Sequence, residues 1–438
     1  MKQKSIVIRI FTAAAAAGIP AALLPVSAHA YELEQHSQEE IRAFYAAHPF
    51  SYTDEQRPVY EQPQMLTAPY TPGVLSDETI QESLNSVMFA RYLAGVPYDI
   101  EAKPELNRMA QTASFLGYSR GWLSHSLERE DCPQDMSDEM IAYGEESLKN
   151  CCLELGYCHL PAAIYEKDLC DSDMRMYQET MNHLGHRRRL LDPKLKYIGF
   201  GQTEKYSAVY SHDQSRTEAF TGGYIAWPPE NMPVELYKMR TEPYQFGRYP
   251  FSVSLMNGYA KPSLETVQVD LYSHQLDRTF HFDKDDFFPT ESPLKGDERE
   301  EACRNYFNVN TSLRSTSRNC IIFCPDVFFA AGDTVDVTVS GIQYTDGTDA
   351  VLTYSVNFFS LEPEPLVAPA DSVRGDTDVN GRFDVRDAVL LNRVLAEDET
   401  CIITQEGLDA CDCDEDGFIT LSDLSWMIDR LSLKNPQP

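Results

Sequence analysis

The chain has 438 residues, 42% of them apolar and 11% aromatic, a composition that suits two or three packed cores and excludes a disordered chain. Its formal charge of -31 argues against nucleic acid as a partner, because phosphate binding needs a basic stripe and the only compact one is His186-Arg187-Arg188-Arg189. Acidity on this scale favours solubility and cation binding.

Residues 1–30 carry Lys2 and Lys4, an apolar run from Ile6 to Leu24 broken by Gly18 and Pro20, and then Ser27-Ala28-His29-Ala30. This is the layout of a signal peptide with an A-x-A cleavage site, so a secreted mature chain beginning at Tyr31 is expected; an uncleaved anchor is the rival reading. No later stretch reaches the roughly 18 apolar residues of a membrane span, so no membrane contact is expected after cleavage. Eleven cysteines in an exported chain suggest disulfides, paired locally within the groups Cys132 to Cys170, Cys303 to Cys324 and Cys401 to Cys413. Cys320 and Cys324 lie four strand steps apart, too far to bond to each other. A zinc site is the rival use of the cysteines, without a C-x-x-C pair to support it.

Residues 31–74 are polar and rich in proline and tyrosine, and read as an extended leader. A helix is expected from the cap Ser76, with Ile80, Leu84, Val87 and Met88 on one face and Gly95 and Pro97 ending it. A second runs from Pro104 to about Gly117, followed by an irregular cysteine-bearing region. A third starts near Ser172 and closes at Gly185. Strands follow at Tyr197 to Phe200 and Ser207 to Tyr210. Gly117-Tyr118-Ser119-Arg120-Gly121 spells G-x-S-x-G, but a helix precedes it where a hydrolase elbow needs a strand, so it reads as coincidence.

Leu84-Asn85 with Arg91, Leu123-Ser124-His125-Ser126, Gly185-His186-Arg187-Arg188, Leu190-Leu191-Asp192-Pro193 and Ile198-Gly199-Phe200-Gly201 together resemble the CAP superfamily of secreted SCP-like proteins over residues 75–213. The resemblance implies an α-β-α sandwich with a cleft in which two histidines and two glutamates can hold a divalent cation such as zinc. It puts His125 and His186 in that cleft. For the first glutamate, Gly144-Glu145-Glu146 approximates the family's motif and offers Glu145, while another register leaves Lys149 at that place; Glu179 is the nearest candidate for the second. The bland alternative is that both histidines only stabilise the fold. Arg187 to Arg189 read as cations complementing a helix end, with an anion site as the sharper idea. Cys151 and Cys152 lack an electropositive setting and read as bridged.

From 214 to 362 the pattern alternates with period two. Tyr224 to Trp227, Phe251 to Leu255, Val267 to Leu271, Thr279 to Phe282, Ile321 to Phe323, Thr334 to Val339 and Leu352 to Phe358 suggest an immunoglobulin-like β-sandwich. Its aromatics Tyr224, Trp227 and Tyr244 read as core first and sugar platform second. Residues 363–372 form a proline-rich linker.

The tail, residues 373–434, writes one calcium loop twice. Asp376, Asp378, Asn380, Asp384 and Asp387 occupy positions one, three, five, nine and twelve of the first copy, and Asp412, Asp414, Asp416, Thr420 and Asp423 those of the second. Gly381 and Gly417 supply the sharp turn at position six, and Arg382 and Phe418 contribute a backbone carbonyl at position seven. Each loop enters a short apolar helix, and neither has a convincing helix before it. This arrangement resembles a type I dockerin, a small all-α module with two calcium ions that plugs into a cohesin on a scaffold protein of a cellulosomal bacterium. The resemblance puts cohesin contacts at Val385, Arg386, Asn392 and Arg393 in the first copy and at Leu421, Ser422, Ile428 and Asp429 in the second. The copies differ there in charge and polarity, which suggests one preferred orientation. A bridge from Cys401 to Cys411 or Cys413 would staple the second loop.

The resulting expectation is a secreted, cellulosome-associated CAP-like protein with a cell-wall, lipid or polysaccharide ligand. Two alternatives accompany it: a metal-dependent hydrolase using His125 and His186, and a polysaccharide-binding module in the β region.

Overall fold

The computed structural model describes residues 30–31, 33–54, 56–170, 183–220, 223–237, 249–288, 305–313, 319–361, 373–396, 403–413 and 418–434. The expected signal peptide up to residue 29, the helix from Ser172, the linker, Glu179, Tyr244, Cys303, Cys401, Asp414 and Asp416 lie outside them. Among the described residues no helix is long and apolar enough to cross a membrane.

The leader is not wholly extended. Helix α1 (Gln38–Ala47) forms in it because Ser37 and Glu40 make a reciprocal capping box, an S-x-x-E signal that stood in the sequence. Helix α2 (Asp77–Leu93) starts at the expected cap, Ser76, whose hydroxyl accepts the Thr79 N–H at 3.2 Å. Helix α3 (Pro104–Arg120) runs past Gly117 and closes at Gly121, whose φ of 82° is the left-handed conformation that suits a helix end. The G-x-S-x-G stretch is thus the last turn and cap of a helix. The region expected to be irregular holds helix α4 (Asp138–Asn150), capped by Ser137, and then strand β2 (Cys151–Leu155).

Four strands make the first sheet: β1 (Glu101–Ala102), β2, β3 (Tyr197–Thr203) and β4 (Tyr206–Tyr210), in the order β1-β3-β4-β2. Side-chain alternation gives the sheet two buried faces. Cys151, Leu153 and Ala208 face α3 and α4, whereas Cys152, Ile198, Phe200 and Val209 face a larger core that includes α2. A Cβ on Gly199 or Gly201 would lie 2.2 Å from the α3 backbone at Leu106 or Ala110, so the Ile198-Gly199-Phe200-Gly201 run is what lets the helix lie on the sheet. A short helix α5 (Leu160–Ala163) continues as a π-helical turn, Ile164–Leu169, and α6 (Gly185–Leu190) follows.

The β region forms two packed sheets. One has the order β6-β13-β12-β8-β9, from β6 (Asn231–Pro233), β8 (Gln268–Ser273), β9 (Arg278–Phe282), β12 (Thr334–Gln343) and β13 (Asp349–Phe359). The other has the order β10-β11-β7-β5, from β5 (Tyr224–Trp227), β7 (Phe251–Leu255), β10 (Tyr306–Asn310) and β11 (Asn319–Cys324). Phe282 and Phe323 meet across the sheets with centroids 5.5 Å apart. Strands β6 and β10 were not anticipated. The inner faces share one apolar core with α2 and the first sheet, from Val87 and Phe200 through Trp227 to Phe358. Trp227 is fully buried and donates to the Tyr249 hydroxyl at 2.7 Å, so it is a core residue and not a sugar platform.

No disulfide joins any two of the nine described cysteines, which corrects the pairings expected among them; those that would use Cys303 or Cys401 lie outside the described residues. The reason is partly geometric: adjacent Cys151 and Cys152 point to opposite faces of the sheet, and Cys411 and Cys413 are packed in the core of the tail. Arg187 to Arg189 stand at a helix end as expected, in the last turn of α6. Arg187 is buried and donates to the carbonyls of Leu169 (2.6 Å), Cys170 (2.9 Å) and Pro250 (2.7 Å), tying the π-helical turn to the sandwich.

The tail is only partly helical, which corrects the all-α expectation. Helices α7 (Val385–Leu395), α8 (Gln405–Asp409) and α9 (Leu421–Lys434) alternate with loops around a small core of Leu391, Cys411, Cys413 and Met427.

Candidate functional site

Two clusters of metal-type ligands stand out among the described residues. In the body, β2 presents Cys152 on the face opposite α3, the π-helical turn presents Asp168, and α6 presents His186. Their ligand atoms all lie within 4.8 Å of one another. Glu154, two residues along β2 and so on the same face, places Oε1 2.6 Å from His186 Nδ1, and Asp168 Oδ1 lies 3.2 Å from the same nitrogen. Asp168 is buried, while the side chains of Glu154 and His186 remain 15% and 18% exposed, which leaves the cluster a narrow edge to solvent.

The electrostatics follow from this packing. Burial opposes a charge on His186, but Cys152, Glu154 and Asp168 outweigh it and hold the imidazole well above its usual range. Burial pushes the Cys152 thiol up to about 11 and raises the Glu154 carboxyl, with His186 acting against both shifts. The metal-free cluster therefore holds a proton on His186 to compensate its carboxylates. A divalent cation can take that role, and the donor set fits zinc: an imidazole, a thiol and two carboxylates. Zinc bonds of about 2.0–2.3 Å set tetrahedral ligand atoms roughly 3.3–3.8 Å apart, so the two carboxylates on His186 Nδ1, now at 2.6 and 3.2 Å, would move slightly outward to admit the ion.

Of the residues singled out in the sequence, His186 belongs to this cluster. His125 Nδ1 donates to the Leu148 carbonyl at 2.7 Å, near the end of α4. His212, which sequence reasoning missed, is depressed to about 3, by burial first and then by the charges of Arg189, His125 and His186. His183, also missed, is depressed to about 4, by burial and then by His186. Glu145 is not in the cluster. It pairs with Lys149 one turn on along α4, at the surface. The carboxylates beside His186 are those of Glu154 and Asp168; the expectation of an irregular region concealed Glu154, and reading Cys151 to Leu155 as a strand would have put Cys152 and Glu154 on one face.

In the tail, the carboxylate oxygens of Asp376, Asp378 and Asp387 form the second cluster. Asp376 accepts the N–H groups of Asn380 (3.0 Å) and Gly381 (2.6 Å), and Asp387 those of Asp378 (3.1 Å) and Asp384 (2.7 Å). Gly381 has φ 82°, as the turn at position six requires. Burial raises Asp387, and Asp378 and Asp376 add to this, the signature of carboxylates gathered for a cation. Asp384 faces Arg386, whose Nη2 lies 2.7 Å from Oδ2, and this contact holds Asp384 down at about 2. Arg382 is exposed, as a residue offering only its carbonyl can be. The second loop repeats the scheme: Asp423 accepts the N–H groups of Cys413 and Thr420, each at 2.7 Å, and Asp412 is buried beside them while Phe418 is exposed.

Helices α7 and α9 pack together and leave an apolar groove of about 410 Å³ lined by Val385, Val389, Asn392, Leu424 and Ile428. Leu421 and Val385 are among the most exposed apolar side chains, at 68% and 64%. Arg386, Arg393 and Ser422 are exposed beside them, and the Asp429 side chain lies outside the described set.

No curated protein and no solved structure matches the chain. A family model described as the dockerin type I domain matches residues 374–432, the stretch that holds both loops and both exposed helices. Residues 374–432 are accordingly a type I dockerin domain, which implies calcium binding, a cohesin as partner and association with a cellulosome, outside the cell or at its surface.

Proposed function

We propose that the chain is an exported protein held on a scaffold by its dockerin, and that its body is a CAP-like unit with one zinc site built from Cys152, Glu154, Asp168 and His186. The observation that carries the body's role is the convergence of two carboxylates on His186 Nδ1 beside the Cys152 thiol. The layering supports the CAP-like reading, with α3 and α4 on one face of the first sheet and α2 on the other. The sandwich, of immunoglobulin-like type, serves as support for the cluster through Arg187. Export rests on the signal-peptide layout of residues 1–30.

In the dockerin, Asp376, Asp378, Asn380, Arg382, Asp384 and Asp387 hold one calcium, and Asp412, Asp414, Asp416, Phe418, Thr420 and Asp423 the other. Val385, Arg386, Asn392 and Arg393, with Leu421, Ser422, Ile428 and Asp429, meet the cohesin. The exposure of Val385, Leu421 and Ile428 favours this face.

A hydrolytic role is the second reading: a catalytic zinc keeps one position for water, which Glu154, at the solvent edge of the cluster, would have to leave. Titration of the metal-free full chain with zinc tests the site. One equivalent is expected to bind tightly, with release of a proton from His186, and binding unchanged in His186→Ala would remove the proposal.

A further inference from the structure

A cavity of about 180 Å³, sharing no residue with the His186 cluster, lies between the leader, the end of α2 and the two sheets. Leu33, Leu93 and Ala226 give it apolar walls, and His36, Glu230 and Tyr354 give it polar ones. Each of these three carries a buried atom without a hydrogen-bond partner: His36 Nε2, Glu230 Oε2 and Tyr354 OH. Groups so placed are rare in folded chains and are tolerated where a ligand supplies the partners.

The three residues are held where they are. The His36 ring stacks on Tyr92 with centroids 3.6 Å apart, and its carbonyl accepts from Asn231 Nδ2 at 2.9 Å. The Glu230 carbonyl accepts the Asn357 N–H at 2.7 Å, which ties it to β13. The Tyr354 ring lies 5.9 Å from that of Tyr224 on the facing sheet.

The chemistry of the lining selects the ligand. Glu34 and Glu230 line the cavity, and no lysine or arginine does among the described residues. Glu34 lies 3.8 Å from His36 Nε2, but burial keeps that imidazole below its usual range against Glu34 and Glu40, so it stays neutral and can accept a hydrogen bond. The site is negative and accepting. Calcium or magnesium would need a cage of six or more oxygens, which apolar walls do not offer. The volume is below the roughly 300 Å³ at which pockets for drug-sized ligands begin.

We propose that this cavity binds a primary alkylammonium group, with the ammonium on Glu230 Oε2, Tyr354 OH and His36 Nε2 and the carbon stem along Leu33, Leu93 and Ala226. A free amine and the side chain of a lysine share this chemistry. Calorimetric titration of the full chain with putrescine, with Nα-acetyl-lysine amide and with the uncharged isostere 1,4-butanediol tests it. Putrescine or the capped lysine should bind saturably at one site and butanediol should not; which of the two amines binds identifies the source. Glu230→Gln should weaken amine binding at least about tenfold, through loss of a charge-assisted hydrogen bond. Tyr354→Phe should weaken it about threefold, and carries the test if the Glu230 variant does not fold. Absence of saturable amine binding, equal binding of butanediol, or full affinity in a folded Glu230→Gln variant would overturn the proposal.

Discussion

The two clusters of metal-type ligands in this chain are built by opposite means. The dockerin gathers its carboxylates from a single loop, so Asp376 and Asp387 meet because a glycine turn folds one short stretch back on itself. The body gathers Cys152 and Glu154 from a strand, Asp168 from a π-helical turn and His186 from a separate helix, and they meet only because the whole core is packed. A local site can be lost or transplanted without the rest of the chain. A non-local one reports on the integrity of the fold, and each predicted effect below follows from that difference.

The largest effect is expected in the anchor. Asp376→Ala combined with Asp412→Ala, or a calcium chelator, should reduce cohesin binding by about a thousandfold or more in surface plasmon resonance, since the loops order the helices that make contact. The body should keep its melting transition. A chelated chain that still binds cohesin would break the contrast at its strongest point.

Next in size is the effect on the zinc site proposed for the body. Asp168→Asn and His186→Ala should each lower zinc affinity by about 10–100-fold or more, while cohesin binding is unchanged. Glu145→Gln should leave zinc affinity as it is, because Glu145 pairs with Lys149 at the surface.

A third effect is on stability against acid. His212 and His183, depressed to about 3 and about 4, stay neutral in the folded body, whereas unfolded histidine titrates near pH 6.5. The unfolded chain therefore takes up protons first as pH falls, and the stability these residues contribute, full above about pH 6.5, is lost progressively toward pH 3–4. Urea unfolding of the metal-free body should show a loss on the order of 2–4 kcal/mol between pH 7 and pH 4, reduced in His212→Gln. A pH-independent midpoint over this range would contradict the burial of these rings.

The smallest effect concerns the two copies within the dockerin. Val385→Asp and Leu421→Asp lie at matching positions, and both side chains are exposed. One should weaken cohesin about tenfold and the other less than about threefold if a single orientation is used. Equal losses would show that both faces work.

This contrast also explains what could be read from the sequence. The dockerin was legible almost residue by residue, because ligand spacing, the position-six glycine and the exposed helix positions are all local. In the body, the caps Ser37, Ser76 and Ser137, the Gly199 and Gly201 approach and the strand alternation after 214 are local signals of the same kind. Glu154 was not, because its role depends on His186 arriving from another helix. His212 and Asp168 carry no spacing signal at all. Cys151 and Cys152 teach a related lesson: their proximity in sequence says nothing about bonding when a strand sends them to opposite faces.

Metal analysis of the purified full chain beside its His186→Ala variant, by inductively coupled plasma mass spectrometry after dialysis against calcium and zinc, tests the division of labour most directly. Two calcium ions and one zinc are expected in the parent, with both calcium ions kept and the zinc lost in the variant. A parent that takes up no zinc, or a variant that retains it, would contradict the assignment of the body.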